Sequence, residues 1–299
     1  MRINNFRFIE IFCESQSITY LILLVSIIFY SNPMIAQQNQ EENEEIANEV
    51  DDYKPFKAGL RLKNMHIWHG FVVTSGPMFA TNLEYTTRNS KFTFGFWGAS
   101  SFTSTDVWNP NTEQYVSANY REFSIYAVYR FTDRFFTELV THNNYTGVEE
   151  RGDKLEYWSY DKTTSYNFPD LNFGYNFDKF SLYWGVIIFG QSQDVEKDDN
   201  GNLVRDENGN LTDSWTQYAE IKGTLYEKNN IKLTGFVGGA WSLHTDNTFY
   251  TTGKGNIINV GATLHTVAKL GNYKLPVETT AMWNPEKEIT VLQVDLILF

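Results

Sequence analysis

Residues 180–188 read Phe180-Ser-Leu-Tyr-Trp-Gly-Val-Ile-Ile188 and carry an apolar side chain at every second position. The even-numbered residues are all apolar, whereas Ser181 and Tyr183 between them carry hydroxyl groups. Successive side chains of a β-strand point to opposite faces of the sheet. This stretch therefore predicts a strand with one strongly apolar face and one more polar face.

The same period of two recurs along the chain from Phe56 to the C-terminus and predicts twelve strands. The predicted strands are residues 56–69, 76–88, 91–102, 119–131, 134–146, 165–178, 179–192, 214–227, 230–244, 256–270, 272–283 and 287–299. Short turns alternate with longer connections, which are expected at residues 103–118, 147–164, 193–213 and 245–255. Short turns at one end, long loops at the other and an even strand number are typical of outer-membrane barrels. The sequence thus predicts an all-β fold, an antiparallel transmembrane up-and-down β-barrel of about twelve strands, with ten to fourteen as the range.

Charged side chains in the middle of the predicted strands fall on the less apolar face, and we predict that this face lines a lumen. The predicted lumen-lining residues are Arg61, Lys63, Glu84, Glu122, Arg130, Glu138, Glu220, Lys222, Lys232, His265, Glu278 and Asp295. A soluble β-sandwich would bury the apolar face instead, but sandwich strands average only five or six residues. The predicted strands are longer and suit the roughly 9–11 residues of a tilted bilayer crossing.

The amino-terminal segment has the order of a secretory signal peptide. Two arginines precede an apolar run from Tyr20 to Tyr30, and cleavage is expected after Ala36. The single cysteine, Cys13, would leave with this segment. The mature chain is therefore expected to contain neither a disulfide nor a thiolate-bound metal.

Two acidic segments account for the net charge of −12 of this 299-residue chain. Residues 37–53 contribute −7 and residues 194–213 contribute −5, so the other residues balance. The chain is too acidic for a nucleic-acid binder, and its mean hydropathy of −0.38 does not suit several apolar membrane helices. We expect three regions: a signal peptide at residues 1–36, an acidic flexible tail at 37–55 and the barrel at 56–299.

The second acidic segment contains Asn-Gly-Asn-Leu twice, at residues 200–203 and 208–211. Asn-Gly favours the tight turn of a two-residue hairpin, so a protruding hairpin is predicted here. The spacing of Asp206, Asn208 and Asn210 also resembles the start of a calcium loop, although the bidentate glutamate of such a loop does not follow. Calcium binding is left open as the weaker alternative, and no metal site or cofactor is predicted elsewhere.

Residues 64–100 resemble the opening of a family of uncharacterised bacterial outer-membrane β-barrel proteins. That family has an aromatic–Arg–Gly step, then Ser and Pro, then a Gly-x-Trp strand, and here His69 stands at the arginine position. The shared positions are Trp68, Gly70, Ser75, Pro77, Gly95 and Trp97. The resemblance implies a signal-peptide-bearing barrel with no established substrate. On chemical grounds, we expect Gly70 to let the first outer turn bend.

One segment looks like the catalytic motif of outer-membrane phospholipases. Residues 141–147 read Thr141-His-Asn-Asn-Tyr-Thr-Gly147, where those enzymes have His-x-Ser-Asn-Gly. Asn144 stands at the serine position, so His142 has no hydroxyl there to activate. We therefore predict that the chain is not an enzyme, with a lipid A or phospholipid hydrolase left as an alternative.

Together these features predict export to the bacterial outer membrane and a narrow porin-like channel for small hydrophilic solutes. The expected partners are outer-membrane lipid, the solutes and the barrel-assembly machinery, which reads a C-terminal aromatic residue such as Phe299; nucleic acid is not expected. Two alternatives remain. One is a closed structural or adhesive barrel that binds a partner through the acidic loop 193–213, and the other is the lipid-modifying enzyme.

Overall fold

The computed structural model describes residues 53–109, 112–162, 165, 167–188, 194–198 and 202–299. The strands in this part of the chain are β1 (Phe56–Lys63), β2 (His66–Trp68), β3 (Phe71–Thr74), β4 (Met78–Thr86), β5 (Phe92–Asn109), β6 (Gln114–Arg130), β7 (Phe135–His142), β8 (Phe168–Asn176), β9 (Phe180–Ile187), β10 (Gln217–Lys228), β11 (Ile231–Trp241), β12 (Gly255–Leu270), β13 (Tyr273–Asn284) and β14 (Ile289–Ile297). Among the described residues, no helix has the length and apolar character needed to cross a membrane. The predicted signal peptide and most of the acidic tail lie outside the described residues.

Twelve of these strands form a closed antiparallel barrel in the order β1-β14-β13-β12-β11-β10-β9-β8-β7-β6-β5-β4. The ring closes where β1 pairs with β14, and Lys63 lies opposite Asp295 there. On its other edge β1 pairs with β4, where Lys63 lies opposite Met78. The prediction of an all-β, twelve-stranded antiparallel barrel is confirmed. Apart from Gly271, the residues discussed below belong to one compact unit, which excludes the β12–β13 turn at residues 268–274.

The apolar face of the strands points away from the lumen. Leu182, Ile221 and Leu292 are 44%, 47% and 53% exposed. On the opposite face Asn172 and Asp295 are 1% and 3% exposed. An apolar outer surface around a polar interior is the reverse of what a soluble sandwich shows.

The prediction of a loop at residues 103–118 is wrong, because β5 and β6 continue through most of it. The two strands stay paired from Ser104–Asn119 to Asn109–Gln114 and form a ribbon. Most side chains of this ribbon are exposed, and its few buried residues, such as Asn109 and Ala118, do not form an apolar stripe. The alternation that marks a half-buried strand is therefore missing from this part of the sequence.

The predicted strand 56–69 is correct only up to Lys63, after which the chain leaves the wall. Asn64 marks the departure point. Its Oδ1 accepts a hydrogen bond from the backbone amide of Val294 at 2.7 Å, and its Nδ2 donates to the carbonyl of Leu292 at 3.0 Å. The Asn64 side chain thus provides hydrogen-bond partners for backbone groups of β14 at the point where β1 ends.

The acidic segment 194–213 contains a tight turn at residues 206–210, and Asp198 and Asn202 are joined in a similar way on either side of residues 199–201, which lie outside the described residues. Asp198 Oδ1 accepts the backbone amide of Asn202 at 2.8 Å, and Asp206 Oδ1 accepts those of Asn208 and Asn210 at 2.9 and 2.8 Å. Isolated β-bridges pair Lys197 with Leu203 and Arg205 with Leu211. The backbone amide of Asn210 is the largest cause that lowers the pKa of Asp206. The spacing of Asp206, Asn208 and Asn210 therefore has a structural role in forming this turn.

A buried polar network joins two of the long connections. The Asp194 carboxylate is buried and accepts hydrogen bonds from the hydroxyl of Thr216 and, at 3.0 Å, from its backbone amide. The Asn247 amide donates to the carbonyl of Val195 at 3.1 Å and accepts the backbone amide of Lys197 at 2.8 Å. Because burial strips water from the carboxylate, it raises the pKa of Asp194 to about 6.

The connection that Asp194 anchors is expected to open more often at neutral pH than at acidic pH. The folded pKa lies above the ordinary 3.8, so the stabilisation is complete below about pH 4 and is lost as the pH rises through about 6. We expect the local opening constant, measured by hydrogen exchange of the Thr216 amide and corrected for intrinsic exchange, to rise roughly tenfold from pH 5 to pH 7.5. In Asp194→Asn this dependence should vanish, and its persistence would assign it to another group.

Candidate functional site

The segment between β1 and β4 folds back into the barrel as a short hairpin, which we call the inner hairpin (residues 66–74). Trp68 and Phe71 face each other at the end of the β2–β3 pair. His69 and Gly70 form the turn between them, with φ angles of 46° and 84°. Positive φ at both central residues is what a two-residue type I′ turn requires.

Strands on opposite sides of the barrel contact the inner hairpin. The contacting side chains are Trp97 in β5, Tyr120 in β6, His142 in β7, Phe168 in β8, Tyr183 in β9, Tyr218 in β10, Asn284 in β13 and Gln293 in β14. A hairpin that touches so much of the ring lies inside the lumen. The expectation that Gly70 bends an outer turn is therefore wrong in direction, because the turn points inward.

Aromatic rings hold the imidazole of His69 at the tip of the inner hairpin. It stacks on the Trp68 indole at 4.2 Å and on the Tyr218 ring at 3.9 Å, with interplanar angles of 21° and 13°. Its Nδ1 lies 3.2 Å from the hydroxyl of Tyr250. The Tyr218 hydroxyl in turn donates to Glu220 Oε2 at 2.7 Å, which fixes the supporting ring to the wall. These contacts define one position for the tip.

A side chain at Gly70 is expected to displace this tip. A Cβ would lie 2.1 Å from the carbonyl oxygen of Ile258, and the φ of +84° already disfavours any L side chain. We expect Gly70→Ala to leave the barrel folded and, in the channel that the sequence predicts, to increase the mean single-channel current and its fluctuations in a planar bilayer. The matched control is Gly271→Ala, whose φ of +61° is similar but whose Cβ would meet no atom within 4 Å. Equal currents in both variants would show that the tip does not restrict the lumen.

His142 lies between two carboxylates at the end of β7. Its Nε2 is 3.1 Å from Asp170 Oδ2 in β8, and its Nδ1 is 3.6 Å from Glu122 Oε1 in β6. Glu122 also accepts hydrogen bonds from the Tyr120 hydroxyl at 2.5 Å and the Ser124 hydroxyl at 2.8 Å. The cluster ties three neighbouring strands together directly under the inner hairpin, where the Trp68 ring lies 5.0 Å from the imidazole.

This arrangement commits both nitrogens of His142 to carboxylates, so neither faces a hydroxyl that it could activate. The nearby hydroxyl of Thr141 donates instead to Asn143 Oδ1 at 2.8 Å. Asn144, at the position of the phospholipase serine, accepts the backbone amide of Thr146 at 2.9 Å and shapes a turn. The segment that resembles the catalytic motif therefore has a structural role in this barrel.

Five of the predicted lumen-lining residues meet around β1, β12, β13 and β14. Arg61 Nη1 is 2.6 Å from Glu278 Oε2, and Lys63 Nζ is 3.3 Å from Asp295 Oδ2. His265 Nδ1 lies 3.4 Å from the other oxygen of Glu278. Acidic and basic side chains on this side of the lumen thus neutralise each other in one network. They do not form a surface of a single charge sign.

The other predicted residues are distributed around the wall, with Glu122 in the His142 cluster. Partners within the wall are the Tyr126 hydroxyl for Glu84, the Thr93 hydroxyl for Arg130, the Tyr218 hydroxyl for Glu220 and the Glu227 carboxylate for Lys232. Glu138 lies opposite Asn172 in the β7–β8 register, and Lys222 borders the cavity described next. That these residues line a permeation path stays a prediction.

A cavity of about 290 Å³ adjoins the tip of the inner hairpin. It is bordered by His69 of the tip and by wall residues of β7 to β10, among them Ser181, Tyr183, Glu220 and Lys222. The cavity therefore combines aromatic rings, a hydroxyl and two opposite charges. Among the described residues, no group of three or more His, Cys, Asp or Glu side chains is placed to hold a metal ion.

Sequence reasoning missed the inner hairpin, and with it His69 and Tyr218. The available signal was local: a His-Gly pair stands between the apolar dipeptides Ile67-Trp68 and Phe71-Val72. Asp170 was also missed, although it lies in the predicted strand 165–178. Asp170 and Asn172 are two residues apart and lie on the same face of that strand. Assigning this face to the lumen would have included Asp170.

No family model matches the chain, and no curated protein matches it in sequence. Solved structures that resemble it include a FadL homologue of Pseudomonas aeruginosa, at 13% identity and a TM-score of 0.31 over 74% of this chain and 66% of that one. CdiB from Acinetobacter baumannii matches at 10% identity and 0.30 over 81% and 47%, and the Pseudomonas putida toluene transporter TodX at 10% and 0.29 over 81% and 87%. The chain spans about two thirds of the first of these proteins and about half of the second. At these values the likeness carries no argument about function, and the resemblance of residues 64–100 to an uncharacterised barrel family stays a prediction.

Proposed function

We propose that the protein is a bacterial outer-membrane β-barrel that forms a narrow channel for small hydrophilic solutes, with the inner hairpin as its constriction. The observation that carries this proposal is the inner hairpin inside a lumen of polar and charged side chains. The exposed apolar belt around the strands supports contact with lipid, because a membrane barrel alternates lipid-facing and lumen-facing residues. We propose outer-membrane lipid and the barrel-assembly machinery as its partners.

The charge pattern of the interior supports passage of solutes without strong selection by sign. Arg61 and Lys63 are paired with Glu278 and Asp295, and Lys232 is paired with Glu227. Rings of one charge would favour ions of the opposite sign. A mixed interior is suited instead to neutral or zwitterionic molecules.

Planar-bilayer conductance of the refolded mature chain tests the proposal. Folding is first verified by heat-modifiable electrophoretic mobility, and stepwise currents of small amplitude with weak ion selectivity are then expected. Folded protein that inserts into the bilayer without any current would overturn the channel. Strong selectivity for cations or for anions would overturn the proposal that the paired charges prevent selection by sign.

A closed structural or adhesive barrel is the second candidate. It is favoured by the packing of the inner hairpin, since the His69 ring is stacked on Trp68 and Tyr218. The acidic segment 194–213 would then be the part that meets a partner. We propose no enzymatic activity, because the imidazole of His142 faces Glu122 and Asp170 instead of a nucleophile.

A further inference from the structure

The cavity beside the inner hairpin presents one acidic and one basic side chain from the same strand. Glu220 and Lys222 are two residues apart in β10 and both border it. Alternate residues of a strand lie roughly 6.6–6.8 Å apart on the same face. The two side chains, which are longer than this spacing, can therefore converge on the ammonium and the carboxylate of one small molecule.

Glu220 is held ready as an acceptor. Its hydrogen bonds within the described part of the chain both go to Oε2, from the Tyr218 hydroxyl at 2.7 Å and from Asn259 Nδ2 at 2.9 Å. This arrangement orients the carboxylate and leaves Oε1 for a cationic ligand group. Charge-assisted hydrogen bonds to such a carboxylate are about twice as strong as neutral ones.

Lys222 supplies the opposite charge. Among the described residues, no carboxylate lies within ion-pair distance of its ammonium group, unlike Arg61, Lys63 and Lys232 elsewhere on the wall. Ser181 lies directly opposite Lys222 in the β9–β10 register and also borders the cavity. An ammonium and a hydroxyl side by side suit a ligand carboxylate.

Aromatic rings complete the cavity. Phe136, Tyr183, Tyr218 and the imidazole of His69 border it, and Tyr218 is stacked against His69 at 3.9 Å. Ring faces pack against apolar groups and also attract a ligand ammonium. At about 290 Å³ the cavity lies at the lower end of ligand pockets, which restricts it to small molecules.

We propose that this cavity binds a small zwitterion with an apolar side chain, of the size of one amino acid. Glu220 takes the ammonium group, Lys222 and Ser181 take the carboxylate, and the rings cover the apolar part. The inference rests on the proposed function, because it names the substrate class of that channel. Since His69 belongs to the inner hairpin, a bound ligand would contact the constriction itself.

The test uses three probes on the refolded full-length mature chain in detergent micelles. They are L-phenylalanine, phenethylamine, which lacks the carboxylate, and 3-phenylpropanoate, which lacks the ammonium. By isothermal titration calorimetry we expect saturable binding of L-phenylalanine and at least tenfold weaker binding of each single-charge analogue. Equal binding of all three probes, or no saturable binding of L-phenylalanine to heat-modifiable protein, would overturn the site.

Substitutions test whether Glu220 and Lys222 bind the charged groups of the ligand. Glu220→Gln and Lys222→Met should each weaken L-phenylalanine binding at least tenfold, whereas Lys232→Met, which removes a lysine outside the cavity, should not change it. The double variant Glu220→Lys with Lys222→Glu keeps the net charge and should recover part of the binding lost in the single variants. Unchanged binding in both folded single variants would overturn the assignment.

Conductance of the same preparation separates this inference from the proposed channel. A conducting barrel that fails to bind L-phenylalanine overturns the site and leaves the channel. A barrel that binds the probe but never conducts overturns the channel, and with it the assignment of the zwitterion as its substrate class.

Discussion

Replacing residues 64–77 by an Asn-Gly turn is expected to raise the single-channel conductance several-fold. Lys63 and Met78 face each other in the β1–β4 register, so a two-residue turn can join them without shifting either strand. The replacement removes the Trp68 indole and the His69 imidazole from the lumen. Because these rings reach across to β7 and β10, their removal widens the narrowest part of the proposed path.

A second replacement of equal length provides the control. It replaces residues 105–118, of which residues 105–109 pair with residues 114–118 in the β5–β6 ribbon, and Ser104 and Asn119 face each other at the base of that part. An Asn-Gly turn in place of these residues shortens the ribbon and leaves the inner hairpin in position. We expect wild-type conductance from this variant, provided that both proteins show heat-modifiable mobility.

Two outcomes would change the interpretation of the inner hairpin. If the variant that lacks residues 64–77 conducts no more than the wild type, the hairpin is not the constriction. If the wild type is silent and only this variant conducts, the native barrel is closed, which favours the structural or adhesive candidate. The two functions are therefore separated by one pair of measurements.

The wall of the barrel was predictable because its signal is local. In β9 apolar residues occupy every even position from Phe180 to Val186, and in β14 Leu292, Val294 and Leu296 alternate with Gln293 and Asp295. The outward position of Leu182 and Leu292 follows from that parity alone. The strand order follows as well, since each barrel strand pairs with the next barrel strand along the chain and β1 closes the ring on β14. Such a pattern needs no knowledge of distant contacts.

The interior was not predictable, because its contacts join residues far apart in sequence. Glu122 and His142 were singled out separately, but their meeting with Asp170 depends on the register of three strands. The inner hairpin depends on Asn64 and Ile67, which bond to residues of β14 more than two hundred positions away. The period of two continues through Trp68, so the sequence predicts an uninterrupted strand where the chain turns inward.

Val237→Arg is expected to destabilise the inserted barrel strongly. Val237 lies near the middle of β11, faces outward at 43% exposure and pairs with Val260 of β12. An arginine on the lipid face at the bilayer midplane costs about 2–4 kcal/mol. That cost lowers the folding equilibrium constant roughly 30- to 700-fold, which is measurable as the midpoint of urea unfolding in lipid vesicles.

The depth of the substitution provides the first control. Leu233 faces the same side as Val237 but is the third residue of β11, close to the turn at Asn229 and Asn230. An arginine there can extend to the interface, so Leu233→Arg should cost no more than about 1 kcal/mol. Val237→Leu should be close to neutral, which would assign the effect to the charge and not to the change of side chain.

The opposite face provides the second control. Lys232 has the inward parity and its ammonium lies 3.6 Å from Glu227 near the turn, so Lys232→Leu removes only a half-exposed ion pair of little worth. The expected order of stability is therefore wild type and Lys232→Leu first, Leu233→Arg next and Val237→Arg last. If Val237→Arg were as stable as the wild type, the apolar face of the barrel would not face lipid, and the same fold would have to be a soluble barrel whose exposed Leu182 and Leu292 are covered by a partner.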